Sequence, residues 1–185
     1  MEMILRQHLD GSVEVTSAGV RGLPSWPVSE QMATQLSSHG IPQSEIGNFR
    51  SRFLDVGFLD DIDLMVTAST GHTSQILERE PLALRKTFTL GELMAVATLM
   101  GESADQEPVV SSSLRRIAPD APQSTDAERL AQVVAAAPRI RNRIPGGIKQ
   151  FDIPDPYGKS AQHYAQAFAL IKNQTNALAN ALQKL

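Results

Sequence analysis

A short and mostly apolar run, Ile62-Asp63-Leu64-Met65-Val66-Thr67, constrains the fold more than any other segment. Such a run is typical of a strand that is buried on both faces of a parallel sheet. Ser69 or Thr70 can cap a helix that starts directly afterwards, and Pro81 ends that helix. A strand that leads at once into a helix is the repeating unit of α/β folds.

Other segments continue this alternation. Val13-Glu14-Val15 and Lys86-Thr87-Phe88 are predicted to be strands. Helices are predicted at residues 1–9, 29–39, 90–100, 125–137 and from 160 onward. Two of these starts have the spacing of a capping box, Thr89 with Glu92 and Thr125 with Glu128. In the last of these, an apolar stripe recurs in steps of four and three residues: Tyr164, Phe168, Ile171, Thr175, Leu178 and Leu182. We therefore expect an α/β fold over residues 1–185, a single domain whose parallel sheet is flanked by helices, with ligands bound at the carboxyl ends of the strands.

Residues 101–124 interrupt the pattern. The segment is polar and contains Pro108, Pro119 and Pro122. We interpret it as a loop excursion within the domain.

Composition excludes several classes of protein. The 185 residues carry a net charge of -3, which argues against a nucleic-acid partner and against a polybasic membrane anchor. No apolar run approaches the roughly 20 residues that a membrane span needs, and the first residues lack the apolar centre of a signal peptide. The interpretation is a cytoplasmic protein. With no cysteine in the sequence, disulfides, thiolate metal sites and cysteine nucleophiles are all excluded.

No cofactor or metal is predicted either. His8, His39 and His163 lack metal-ligand spacing with a second histidine or a carboxylate pair. The chain also has no glycine-rich phosphate loop of the nucleotide-binding kind.

Five segments, taken in order, resemble the low-molecular-weight protein tyrosine phosphatase family. They are Val15-Thr16-Ser17-Ala18-Gly19, Gly40-Ile41, Asp61 to Thr67, Arg85 to Glu92, and Ile153-Pro154-Asp155-Pro156-Tyr157. Together they extend over nearly the whole chain. The resemblance implies a phosphatase of the bacterial type that acts on a phosphorylated protein or a small phosphoester.

The same resemblance implies three site residues. Asp155 corresponds to the general acid that protonates the leaving oxygen, and Tyr157 lines the entrance against an aromatic substrate. Ser17 corresponds to a serine that bonds the backbone of the phosphate loop. Each has a structural alternative: Asp155 as a local cap in a turn, and Ser17 as a hydroxyl that satisfies a strand end.

The family also opens with a strand and a phosphate loop, in which five residues separate a cysteine from an arginine. Met1-Glu2-Met3-Ile4-Leu5 resembles the start of the helix that follows this loop. We therefore expect the first strand, the nucleophile and the loop arginine to be missing from this chain, as in an incomplete version of a longer protein with a start codon assigned too far downstream. Loss of this central strand is expected to unfold the domain unless the flanking strands pair with each other.

Two functions remain open. The first is a phosphotyrosine phosphatase whose nucleophile is missing from this sequence; the second is a catalytically inactive, phosphatase-like binding or regulatory module. An arsenate reductase on the same fold needs several cysteines and is disfavoured.

Other polar residues have structural interpretations that we prefer. Asp152 is expected to be a solvated loop charge, with a paired acid as the alternative, and His72 is expected to be a surface or capping residue. Trp26 is expected to be a packing residue. Two basic stretches are interpreted as solvated loops or as contacts for an acidic partner: Arg115-Arg116, and Arg139, Arg141 and Arg143. The sequence leaves the oligomeric state open.

Overall fold

A computed structural model describes residues 1–21, 24–55, 59, 61–105 and 124–185. These residues form seven α-helices: α1 (Glu2–His8), α2 (Glu30–Ser38), α3 (Gln43–Asn48), α4 (Thr70–Arg79), α5 (Leu90–Asp105), α6 (Asp126–Ile140) and α7 (Ala161–Leu182). The two strands are β1 (Met65–Thr67) and β2 (Thr87–Thr89), and 3₁₀ turns occupy Pro81–Arg85, Arg141–Arg143 and Ile148–Phe151.

The sheet consists of two short parallel strands. In its register Met65 faces Thr87, Val66 faces Phe88 and Thr67 faces Thr89. Each strand leads directly into a helix, β1 into α4 and β2 into α5. The α/β class and the parallel sheet are confirmed, and the carboxyl ends of both strands lie at one edge, where α/β sheets bind ligands.

The predicted strand at residues 13–16 does not form. Residues 13–18 have no strand partner among the described residues, and the only pairing nearby is an isolated parallel bridge between Gly19 and Phe53. The Val15 carbonyl instead accepts two hydrogen bonds from the Arg6 guanidinium, at 2.9 and 2.7 Å. This segment and β1, the two candidates to flank a first strand, do not pair with each other.

The core is built around α5 and α7. Leu90, Leu93 and Val96 of α5 are fully buried. All six members of the predicted α7 stripe are buried, so the period-3.6 pattern correctly identified the helix and its inner face. None of the described helices is long and apolar enough to cross a lipid bilayer.

Reciprocal hydrogen bonds join the segment after α1 to the start of α6. The Asp10 amide donates to the Asp126 carboxylate at 2.9 Å, and the Asp126 amide donates to the Asp10 carboxylate at 3.0 Å. The Ser12 hydroxyl accepts a third bond from the Ala127 amide at 3.1 Å. These contacts satisfy amides in the first turn of α6, where no intrahelical carbonyl is available.

Two helix boundaries differ from the sequence prediction. Helix α5 continues through residues 101–105, which were predicted to belong to the loop; Pro108 is the first proline after the start of α5, and Gly101 leaves room for the Lys184 stem. Residues 106–123, the rest of that predicted loop except Ser124, lie outside the described residues together with Arg115 and Arg116. Helix α6 passes Pro138 and ends at Ile140, because a proline so near the end costs the helix only one hydrogen bond.

Candidate functional site at the carboxyl edge of the sheet

The 151–157 loop, which contains Asp155, is attached where β1 ends. The Ile153 amide donates to the Ala68 carbonyl at 2.8 Å, and Ala68 directly follows β1. Ile153 itself is buried in the main core. The loop therefore lies at the carboxyl edge of the sheet, at the position that α/β folds use for ligands.

Asp152 anchors this loop to the first turn of α4. Its carboxylate accepts the Thr70 amide at 2.8 Å and the Thr70 hydroxyl at 2.7 Å. The Thr70 amide lies in the first turn of the helix, where amides have no intrahelical carbonyl partner. Asp152 is thus an anchor of the loop rather than the solvated charge that the sequence favoured. Sequence reasoning missed this role because the two residues are 82 positions apart.

The other side of the loop is held by the first turn of α5 and by α7. The Gln174 side-chain amide donates to the Phe151 carbonyl at 2.8 Å. Gly91, two residues after β2, lies so close to Phe151 that a methyl group on Gly91 would come within 2.1 Å of the Phe151 Cβ. The loop therefore contacts the end of β1 and the start of α5, the helix that follows β2, and the glycine permits the second contact.

Asp155 itself is exposed. Its carboxylate accepts the Tyr157 amide at 2.9 Å, which is the geometry of an Asx turn. No ion pair among the described residues includes Asp155. The Tyr157 side chain is one of the most exposed large apolar groups, at 76%. An exposed acid and an exposed aromatic ring thus stand together on a loop whose base is anchored.

Ser17 lies in a different environment. Its hydroxyl donates to the buried Glu2 carboxylate, which also pairs with Arg6 at 2.6 Å. The structure therefore joins Ser17 to α1, and no hydrogen bond or ion pair among the described residues links it to the 151–157 loop. The expected partner, a phosphate-loop backbone, is not the partner found here.

His72 has the capping role that the sequence favoured. Its Nδ1 lies 2.9 Å from the Ser69 hydroxyl, and its amide donates to the same hydroxyl at the start of α4.

Trp26 was predicted to be a packing residue, but it is 54% exposed. The described residues contain no group of three or more histidines and carboxylates that could hold a metal ion.

The basic stretch after α6 is partly structural. Arg141 pairs with Glu92 at 2.5 Å and lies over the Phe88 ring at 5.8 Å from its centroid. Glu92 is only 2% exposed, whereas Arg141 is half-buried, so the carboxylate is the partner that is removed from water. Arg139 and Arg143 are exposed, as a solvated basic stretch predicts.

Comparison with solved structures identifies the fold of this chain. No family model matches the chain, and no curated protein does. Among solved structures, the YwlE arginine phosphatase from Geobacillus stearothermophilus matches 98% of this chain and 82% of its own, with a TM-score of 0.61 and 22% identity. Vibrio vulnificus Wzb, in complex with benzylphosphonate, matches 97% of this chain and 86% of its own, with a TM-score of 0.59 and 18% identity. The chain thus has the fold of low-molecular-weight phosphatases, as the resemblance predicted.

Proposed function

We propose that this chain, which has the phosphatase fold, provides the acid part of a phosphoester-hydrolysing site, with Asp155 as the general acid and Tyr157 beside the substrate. One observation carries the proposal: an exposed carboxylate stands on a loop that is anchored at the carboxyl edge of the sheet, to the end of β1 and to the first turns of α4 and α5. General acids must reach the leaving oxygen from a fixed position, and this loop meets that need.

The proposed chemistry follows the family that the sequence resembles. A thiolate attacks phosphorus, so that an S–P bond forms while the P–O bond to the leaving group breaks. The Asp155 proton moves to the leaving oxygen, which otherwise departs as a high-energy anion, and such acid catalysis contributes about 10²- to 10⁴-fold. This sequence contains no cysteine, so the chain alone is expected to lack turnover by this route.

The proposed substrates are phosphorylated proteins or small phosphoesters. One structural neighbour is an arginine phosphatase and the other holds benzylphosphonate, an aromatic phosphonate. The Tyr157 ring can stack on an aromatic ring or on a guanidinium plane, so both phosphotyrosine and phosphoarginine belong in the test.

A non-catalytic module that binds phosphorylated ligands is the second candidate. The observation in its favour is the bond from the Tyr157 amide to Asp155, because a carboxylate in an Asx turn has a structural use without any catalysis. The absence of cysteine agrees with this reading too.

Two assays on the purified chain test these proposals. For the acid-part proposal, we expect no vanadate-sensitive hydrolysis of p-nitrophenyl phosphate, a phosphotyrosine peptide or a phosphoarginine peptide. Vanadate-sensitive turnover by the pure protein would contradict the proposal that this chain lacks the nucleophile and supplies only the acid. Saturable binding of the phosphopeptides that Tyr157→Ala abolishes would favour the binding module instead.

A further inference from the structure

A cleft of about 260 Å³ opens beside Ser17, in a region that the proposed acid chemistry does not use. Its walls are two short segments and their arginines: Ser17, Ala18, Gly19, Arg21, Phe49, Ser51 and Arg52. The 151–157 loop contributes nothing to this lining. The cleft is therefore a separate feature of the molecule.

Backbone hydrogen bonds fix the walls of this cleft. The Gly19 amide donates to the Arg52 carbonyl at 2.8 Å, and the Leu54 amide donates to the Gly19 carbonyl at 2.9 Å. Ser51 is tied to the next loop, since its amide donates to the Trp26 carbonyl at 2.8 Å and its hydroxyl accepts the Trp26 amide at 2.9 Å. The segments that carry Arg21 and Arg52 are thus joined before any ligand arrives, which lowers the entropic cost of binding.

The charge of the cleft is positive. Arg21 and Arg52 are both exposed, and among the described residues neither guanidinium has a carboxylate partner. By contrast, Arg6, Arg129 and Arg141 are each paired with an acid. Among the described residues that line the cleft there is no aspartate or glutamate, although the chain as a whole has a net charge of -3. Two unpaired guanidinium groups around one cavity favour an oxyanion.

We propose that this cleft binds a phosphate or carboxylate group, with Arg21 and Arg52 as its cationic ligands. Half-buried Phe49 supplies an apolar wall for the stem that carries the anionic group. The volume suits a single anionic side chain or a small free anion rather than a nucleotide-sized molecule. Both sources present the same chemistry, and the test below separates them.

Trp26 provides a fluorescent probe beside the cleft. It is the only tryptophan of the chain, and its backbone is bonded to Ser51 of the cleft wall. Two probes are titrated at low salt with Trp26 fluorescence and calorimetry: inorganic phosphate, and a capped tetrapeptide with two adjacent glutamates. The glutamine version of the peptide serves as the uncharged control. Saturation by phosphate alone identifies a small free anion as the ligand, and saturation by the glutamate peptide identifies an acidic side chain.

Variants assign the binding to the two arginines. Arg21→Gln/Arg52→Gln is expected to weaken binding by about tenfold or more, since each guanidinium makes charge-assisted bonds. Arg79→Gln/Arg139→Gln removes the same charge from exposed arginines outside the cleft and is expected to change affinity less than about twofold, as distant surface charges are screened.

Thermal melts check that both variants fold. If Arg21→Gln/Arg52→Gln does not fold, Arg21→Lys/Arg52→Lys replaces it, and we expect a smaller loss of affinity because the lysines keep the charge. Equal losses in both double variants, or no saturable binding of either probe by the unaltered chain, would overturn the proposal. Because Asp155 and Tyr157 are untouched, failure here leaves the acid-loop proposal standing.

Discussion

Asp152 accepts both the amide and the hydroxyl of Thr70, at 2.8 and 2.7 Å, and so ties the 151–157 loop to the helix that follows β1. The bond pair lies three residues from Asp155. It converts what would be a free surface turn into a loop with a fixed base. The position of the proposed acid therefore depends on a carboxylate that does no chemistry.

Removal of this carboxylate tests that dependence. Asp152→Ala leaves the Thr70 amide and hydroxyl without their partner, and we expect unfolding free energy to fall by about 1–3 kcal/mol. Amide hydrogen exchange in residues 151–157 should quicken as well. Chemical denaturation and exchange mass spectrometry measure the two effects.

Thr70→Val supplies the control for the Asp152 variant. It removes only the hydroxyl bond and keeps the amide bond, so its loss should be smaller, and the double variant should be less destabilised than the sum of the two. If the losses of the two single variants simply add up in the double variant, Asp152 stabilises the loop by contacts other than its bond to the Thr70 hydroxyl.

Gly91 is predicted to be intolerant of a side chain. In Gly91→Ala the new methyl group meets the Phe151 Cβ at 2.1 Å, so the loop or α5 must shift, at a cost of about 1–3 kcal/mol. Gly47→Ala is the matched control, because Gly47 lies in α3 with nothing within 4 Å of a new methyl group. There we expect no loss or a gain of up to about 1 kcal/mol, from helix propensity. Equal melting temperatures for the two variants would contradict the close contact.

The Asp10 and Asp126 bonds predict an acid-sensitive contact. The Ser12 side chain, together with the amides of Asp126 and Ser12, holds the pKa of Asp10 below its ordinary value of 3.8. The folded state thus favours the ionised carboxylate, and its contribution is present above pH 3.8 and is lost as the pH falls through the lowered pKa. Asp10→Asn should therefore show a shallower loss of stability below about pH 4 than the unaltered chain, in denaturant titrations at each pH. If the free energy of unfolding falls equally steeply with pH in both proteins, Asp10 is not the group that makes this contact acid-sensitive.

Local pattern was enough to predict part of this fold. The six-residue stripe of α7 and the capping box at Thr125 and Glu128 each rest on residues within a few positions of one another, and both are present. At the start of α5 the Thr89 hydroxyl accepts the Glu92 amide at 3.0 Å as expected, whereas the Glu92 carboxylate turns to Arg141. The local capping pattern thus predicted the start of α5 correctly, but it could not show that Glu92 pairs with an arginine 49 residues away.

The site depended even more on distant contacts. Asp155 and Tyr157 were proposed from a short pattern, but Asp152, Gln174 and Gly91 take their roles from residues of other elements. Val13 to Val15 alternates as a strand does, yet no neighbouring strand pairs with it among the described residues. Alternation reports a preference for extended backbone, and a strand also needs a partner.

The most direct test of the account supplies the missing thiol and asks whether Asp155 then acts as the acid. A strand and a cysteine-containing phosphate loop of the kind that the resembled family has are joined ahead of Met1. Hydrolysis of p-nitrophenyl phosphate and of a phosphopeptide with a poorer leaving group is then measured, after a melt confirms folding. The account predicts vanadate-sensitive turnover that Asp155→Asn lowers by about 10²- to 10⁴-fold, most strongly for the poorer leaving group. Equal rates for the two forms of this extended chain would contradict the assignment of Asp155 as the acid.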